Sequence, residues 1–314
     1  APFLSYATIG ILPKAILSAA TPQSILNDPF NQAPVGTGPY SLTSLDENSA
    51  VLKANESFYM GAPNIDEIDL KFYPDMASAT AEVIRKQADG LLVDLTIDPA
   101  DYQSLREVEG LETHVMNRSA FTILYLNNSS PPLNDPEVRS AIAQAVDVDA
   151  IITSLLGGRA ERADTPIVPG AWAYDSGAQM PAPDVGQARQ ILESAGWTLP
   201  EGGAVRSKNS TELRFSLLTD QDPLRGAIAE AISQQLTDAG IDATVARQPS
   251  GDLVRDFLIP RQYQAAIFGF DPGADPDPYP AWHSSQAING GRNIAGYTSD
   301  DADALMEEAR RTTA

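Results

Sequence analysis

Three carboxylates and four aromatic rings crowd one short stretch of the chain, Ala265 to Trp282, AAIFGFDPGADPDPYPAW. Asp271, Asp275 and Asp277 stand among Pro272, Pro276, Pro278 and Pro280, while Phe268, Phe270, Tyr279 and Trp282 set apolar surface around them. A carboxylate beside apolar surface is costly to desolvate unless a cation meets it. These residue types therefore suit capture of a cation. Several hard oxygens at this spacing would also suit Ca²⁺, but the EF-hand spacing and its Glu are absent. With a metal, the same acids of the 271–277 loop would suit hydrolysis. A plain solvated acidic turn uses the same residues with no ligand at all.

The elements that must position these acids can be read on either side of Gly269. Ala265-Ala266-Ile267-Phe268 is an apolar run after a polar segment, the pattern of a buried strand. The prolines that follow forbid both a helix and a central strand. The acids thus fall in a stiff loop at the C-terminal end of a strand, which is where open α/β sheets bind ligands. Other catalytic constellations are missing. There is no H-E-x-x-H, no G-x-S-x-G, no Walker A loop and no cysteine. His114 reads as a surface or strand residue, and His283, next to Trp282, reads as decoration of the loop.

Composition narrows the function classes. The chain has 314 residues, 43% hydrophobic, enough for more than one core. Its 42 acidic against 21 basic residues give a formal net charge of −21. That argues against nucleic acid and against anionic lipid, both of which need basic patches. It fits a soluble protein kept monomeric by self-repulsion. No apolar run is long enough to span a membrane, and no signal-peptide pattern occurs.

Along the chain, Lys14 onward reads as a short helix behind Pro13. Gly36-Thr-Gly-Pro39 reads as a turn. Tyr40 to Leu45 and Ala50 to Ala54 form a hairpin around Asp46–Ser49, and Ile65 to Phe72 is another strand. Ala77 to Lys86 is a helix capped near Asp75 or Ser78. Leu91 to Leu95 and Phe121 to Leu126 are strand-like. From Asn127 the texture becomes alternating helix and strand, the mark of an α/β lobe. Helices open at Asp135-Pro136, at Asp147 or Asp149, at Asp184, at Asp222-Pro223 and after Ser299. Ile241, Ala243 and Val245 alternate as a strand. The expected division is 1–126 and 127–314, with a hinge near Leu124 to Pro132.

Five stretches, in order along nearly the whole chain, resemble a known family. Pro34-Val-Gly-Thr-Gly-Pro-Tyr40 is similar to a P-V-G-T-G-P-Y turn. Leu52-Lys-Ala-Asn-Glu-Ser-Phe-Tyr59, with Gly61 and Pro63, is similar to L-x-x-N-x-x-Y-W-x-G-x-P. Pro132 to Asp149 is similar to P-F-x-D-x-R-V-R-x-A, and Gly296 to Leu305 to G-Y-S-N-P-x-V-D-x-L. The acidic loop resembles a G-W-x-x-D-x-x-D-P segment. All belong to the family 5 extracellular solute-binding proteins, the peptide and nickel receptors of ABC importers. The resemblance implies a two-lobed, periplasmic-binding-protein type II α/β fold, with one lobe complete and the other partial in this chain. It implies capture of a small solute, most readily a peptide, between lobes that close and then meet an ABC permease. It implies no cofactor, no metal and no enzymatic activity, and a periplasmic or cell-surface location with any signal or anchor outside this sequence.

The Asp of the family segment meets the ligand's α-ammonium, and by this resemblance that role falls to Asp275. The loop here is two residues longer, which makes Asp271 a rival. Phe270, Tyr279 and Trp282 join the expected ligand contacts. Trp172, in a P-G-x-W-x-Y-like loop, either lines the cleft or packs the lobe surface. A surface module without small ligand is the remaining alternative.

Overall fold

A computed structural model describes residues 10–312 apart from Thr96 and Ala274. Two compact units divide between His114 and Val115. The first contains an antiparallel sheet of β1 (Tyr40–Leu45), β2 (Ser49–Ala54) and β3 (Glu67–Lys71). Asp46 makes the tight β1–β2 connection by accepting from the Asn48 and Ser49 amides at 2.8 and 2.9 Å. Asn55 ties the glycine-rich turn to the end of the hairpin, donating to the Gly38 carbonyl at 3.0 Å. Helices α1 (Met76–Ile84) and α2 (Pro99–Arg106) follow. Asp75 and Asp98 cap them, because a carboxylate satisfies first-turn amides that have no partner within the helix. Val83, Ile97 and Leu105 form the core here. The strand expected at Leu91–Leu95 is absent. Leu91 and Val93 instead pack against that core from an irregular segment.

The second unit is built on a four-stranded sheet in the order β4 (Phe121–Leu126), β7 (Ala265–Phe270), β5 (Arg214–Thr219), β6 (Asp242–Arg247). β5 runs parallel to β6 and β7, while β4 is antiparallel to β7. Both faces are covered, so the strands alternate between two cores. Leu217, Ala265 and Ile267 enter the larger one, with α3 (Pro136–Ala145), α5 (Val185–Ser194) and α6 (Pro223–Asp238). Leu218, Ala266 and Tyr125 enter the smaller one, with Leu253, Leu258 and Tyr263. Burial on both faces is why β7 reads as a continuous apolar run. Four helices of this unit begin where an aspartate accepts from the first turn: Asp135 for α3, Asp147 for α4 (Val148–Leu156), Asp184 for α5 and Asp222 for α6. α6 is the crossover between β5 and β6, and Gly240, at φ +81°, ends it.

The expected boundary at residue 126 is displaced. β4 pairs along its whole length with β7, Phe121 opposite Phe270 and Leu126 opposite Ala265, so it belongs to the second unit. Asn127 is buried and donates to the carbonyls of Arg261 and Tyr263 at 3.0 and 2.7 Å. The Asn-Asn-Ser-Ser segment is thus fastened to the sheet and does not form a loose linker. Two further segments close this unit, a helical turn α7 (Tyr279–Trp282) and the helix α8 (Asp300–Arg311), capped by Ser299.

Candidate functional site

Because β5, β6 and β7 are parallel, Asp220, Arg247 and Asp271 emerge from one edge of the sheet. At that edge the three loop acids take three different roles. Asp271 is exposed and accepts from the Gly273 amide at 2.8 Å, closing a tight turn in which Gly273 has φ +76°. Asp277 is matched by a cation of the chain itself, with Arg310 Nε at 3.1 Å, and it also accepts from the Tyr279 amide at 3.1 Å. Asp275 is half-buried and has no hydrogen-bond or ion-pair partner among the described residues.

The expected aromatic contacts separate as well. Phe270 meets Phe121 edge to face at 5.6 Å, bridging the ends of β7 and β4. Tyr279 stacks on the imidazole of His283 at 4.0 Å, and the Arg310 guanidinium lies over the Tyr279 ring at 4.0 Å from its centre. Trp282 is half-buried, and its indole N–H is enclosed without a protein acceptor. His283, expected as loop decoration, is 6% exposed. Its Nδ1 accepts from the Ser285 amide at 3.1 Å, and its Nε2 lies 3.5 Å from Glu307 and 3.9 Å from Asp303. Tertiary packing of α8 against α7 buries it. Among the described residues no group of three His, Cys, Asp or Glu side chains is arranged to hold a metal ion.

Trp172 is 80% exposed. It lies on a cavity of about 240 Å³ that the sequence did not foreshadow, shared by its own loop and by the acidic loop. Val168 and Ala171 form one side, Pro272, Gly273 and Pro276 the other, and Ser119, ahead of β4, completes it. The structure therefore brings Trp172 to the edge where Asp271 and Asp275 sit. Stiff prolines hold both walls.

Arg225 is the residue at this edge that sequence reasoning passed over. It stands in the first turn of α6 and forks onto the fully buried Asp220, Nε to Oδ1 at 2.8 Å and Nη2 to Oδ2 at 2.6 Å. Its guanidinium also faces the ring of Phe268 at 5.7 Å. Burial pushes the Asp220 carboxyl up. Hydrogen bonds from Arg225, the Ser250 hydroxyl and the Asp222 amide outweigh that and hold it below the usual carboxylate range. The available signal was Thr219-Asp220, two polar residues directly after the apolar run Leu217-Leu218.

A family model, "Bacterial extracellular solute-binding proteins, family 5 Middle", matches residues 2–291. The chain belongs to this family of solute-binding proteins. It is 29% identical to the oligopeptide-binding protein AppA of Bacillus subtilis over 308 residues, 96% of this chain and 55% of that one. It is 29% identical to the nickel-binding periplasmic protein of Escherichia coli over 217 residues, 68% of this chain and 41% of that one. The chain thus spans about half the length of the curated relatives it matches. Among solved structures, AppA from Bacillus subtilis in complex with a nonapeptide superposes with a TM-score of 0.71 at 27% identity, over 97% of this chain and 61% of that one. NikZ from Campylobacter jejuni in complex with Ni(L-His) superposes with a TM-score of 0.75 at 27% identity, over 100% of this chain and 62% of that one. The α/β architecture is that of these binding proteins.

Proposed function

We propose that this chain supplies solute-contacting surface to the substrate-binding component of an ABC importer, and that its solute carries an ammonium group, as a peptide does. The observation that carries the reading is the cavity between Trp172 and the proline-rich loop, with the carboxylate of Asp275, which has no partner among the described residues, in the same loop. A half-buried carboxylate without an internal partner is matched at least cost by a cation brought from outside. Asp271 and Asp277 are less suited, because a backbone amide and Arg310 already occupy them.

The cavity is smaller than the roughly 300–1,000 Å³ of pockets that enclose a whole ligand. On this reading it receives one part of the solute, such as a side chain, and further walls enclose the rest. In the importer, closure of two lobes over the solute would supply those walls and present the loaded protein to the membrane permease. We read the protein as a binder and not an enzyme, acting outside the cytoplasmic membrane. The test is native mass spectrometry of the full-length protein after incubation with an equimolar mixture of free dipeptides and tripeptides, and separately with Ni²⁺ plus histidine. Retained peptide, lost when the amino termini are acetylated, is the expected result. Retention of the nickel–histidine complex alone would overturn the peptide assignment.

A further inference from the structure

One face of α8 is devoted to the segment that follows the acidic loop. Asp303, Glu307 and Arg310 recur at helical spacing, so they share that face. Each reaches a different point of residues 277–286. Asp303 accepts from the Ser284 amide at 3.0 Å and from the Ser284 hydroxyl. Glu307 faces His283 Nε2 at 3.5 Å while holding Arg311 at 2.8 Å. Arg310 pairs with Asp277 and lies over Tyr279, whose ring also stacks on His283 and whose hydroxyl meets Ser285 at 3.3 Å. The ring of Tyr279 is therefore clamped by both a guanidinium and an imidazole, and the backbone that leaves Asp277 is fixed at the same point.

This clamp has a function that loop stiffness alone does not explain. Proline fixes φ at positions 276, 278 and 280 but leaves ψ free, so the loop could swing as a body about its ends. Only contacts from another element can fix where it stands. Of the three loop acids, Asp277 alone is tied to a distant helix, and it lies two residues beyond Asp275. We propose that Arg310 is a positioning residue of the solute site: through Asp277 and Tyr279 it holds the 275–282 segment in the pose that presents Asp275. The proposal rests on the reading of Asp275 as a solute contact.

Two measurements on the full-length protein test it together. The first is hydrogen exchange of the 275–286 segment in Arg310→Gln and Arg310→Lys. The second is retention of the same dipeptide and tripeptide mixture by each variant. Arg310→Gln is expected to exchange faster in this segment only and to retain peptide about tenfold more weakly, the combined worth of an exposed ion pair and a cation–π contact. Arg310→Lys keeps the charge at both contacts and is expected to recover most of both. Unchanged exchange in Arg310→Gln would overturn the clamp. Faster exchange with undiminished peptide retention would overturn the positioning role. If the wild type retains no peptide, the solute reading fails and the positioning role fails with it, while the exchange result still decides the clamp.

Discussion

Arg225 meets Asp220 through two nearly parallel hydrogen bonds, of 2.8 and 2.6 Å, at the C-terminal end of β5. Asp220 is wholly buried, whereas Arg225 keeps part of its side chain in solvent. Removing the cation would strand a buried charge, which costs more than the pair contributes. Arg225→Met is therefore expected to destabilise the protein by about 2–3 kcal/mol, discounted for the exposed end of the pair. Thermal melting should record a fall of roughly 4–12 °C. A loss below about 1 °C would mean that Ser250 and the Asp222 amide satisfy Asp220 unaided.

Acid should act through the same group. Asp220 is held below its ordinary value of 3.8 in the folded chain. Its contribution is thus fully present above that ordinary value and is lost as pH falls through the depressed one. Urea midpoints measured between pH 6 and pH 2.5 should drop at the acid end for the wild type. The drop should be shallower in Asp220→Asn, which has no proton to take up there. Parallel curves would show that other carboxylates carry the acid sensitivity.

At the proposed solute site, Asp275→Asn in the full-length protein is expected to weaken an ammonium-bearing solute by at least about 30-fold, because breaking a shielded charge pair costs about 2–5 kcal/mol. Asp271→Asn should change affinity by less than about threefold, since its carboxylate is turned onto the Gly273 amide and only a turn is weakened. Calorimetry with the tightest peptide from the mixture measures both. The opposite ranking would move the role to Asp271.

Two glycines separate a real steric limit from an apparent one. A Cβ on Gly291 would stand 2.1 Å from the backbone carbonyl of Gln286, which cannot move without opening the loop. Gly291→Ala should cost more than about 2 kcal/mol. A Cβ on Gly226 would meet the Arg247 guanidinium at 2.6 Å, but that is the free end of an exposed side chain. Gly226→Ala should fall within about 1 kcal/mol of wild type, with the gain in helix propensity offsetting the displaced arginine. Denaturant unfolding of the two variants tests the contrast, and equal losses would contradict it.

Local chemistry was legible in the residues themselves. Asp135, Asp147, Asp184, Asp222 and Ser299 cap the helices expected after them, because a cap acts within three residues of its own position. The β1–β2 hairpin and the buried β7 followed from turn residues and apolar runs for the same reason. The five family-like stretches established the kind of protein. Tertiary structure decided what depends on partners distant in sequence. Leu91–Leu95 has strand composition, but a strand exists only where another offers its backbone, and among the described residues this segment pairs with no strand. β4 lies in the second unit because its hydrogen bonds run to β7, more than a hundred residues away. Above all, three aspartates of one composition became three different groups. Gly273 claims Asp271 and Arg310 claims Asp277, and no described residue claims Asp275. The sequence placed acids of equal intrinsic charge in one loop; a local turn engages Asp271, and only the packing of α8 brought Arg310 onto Asp277.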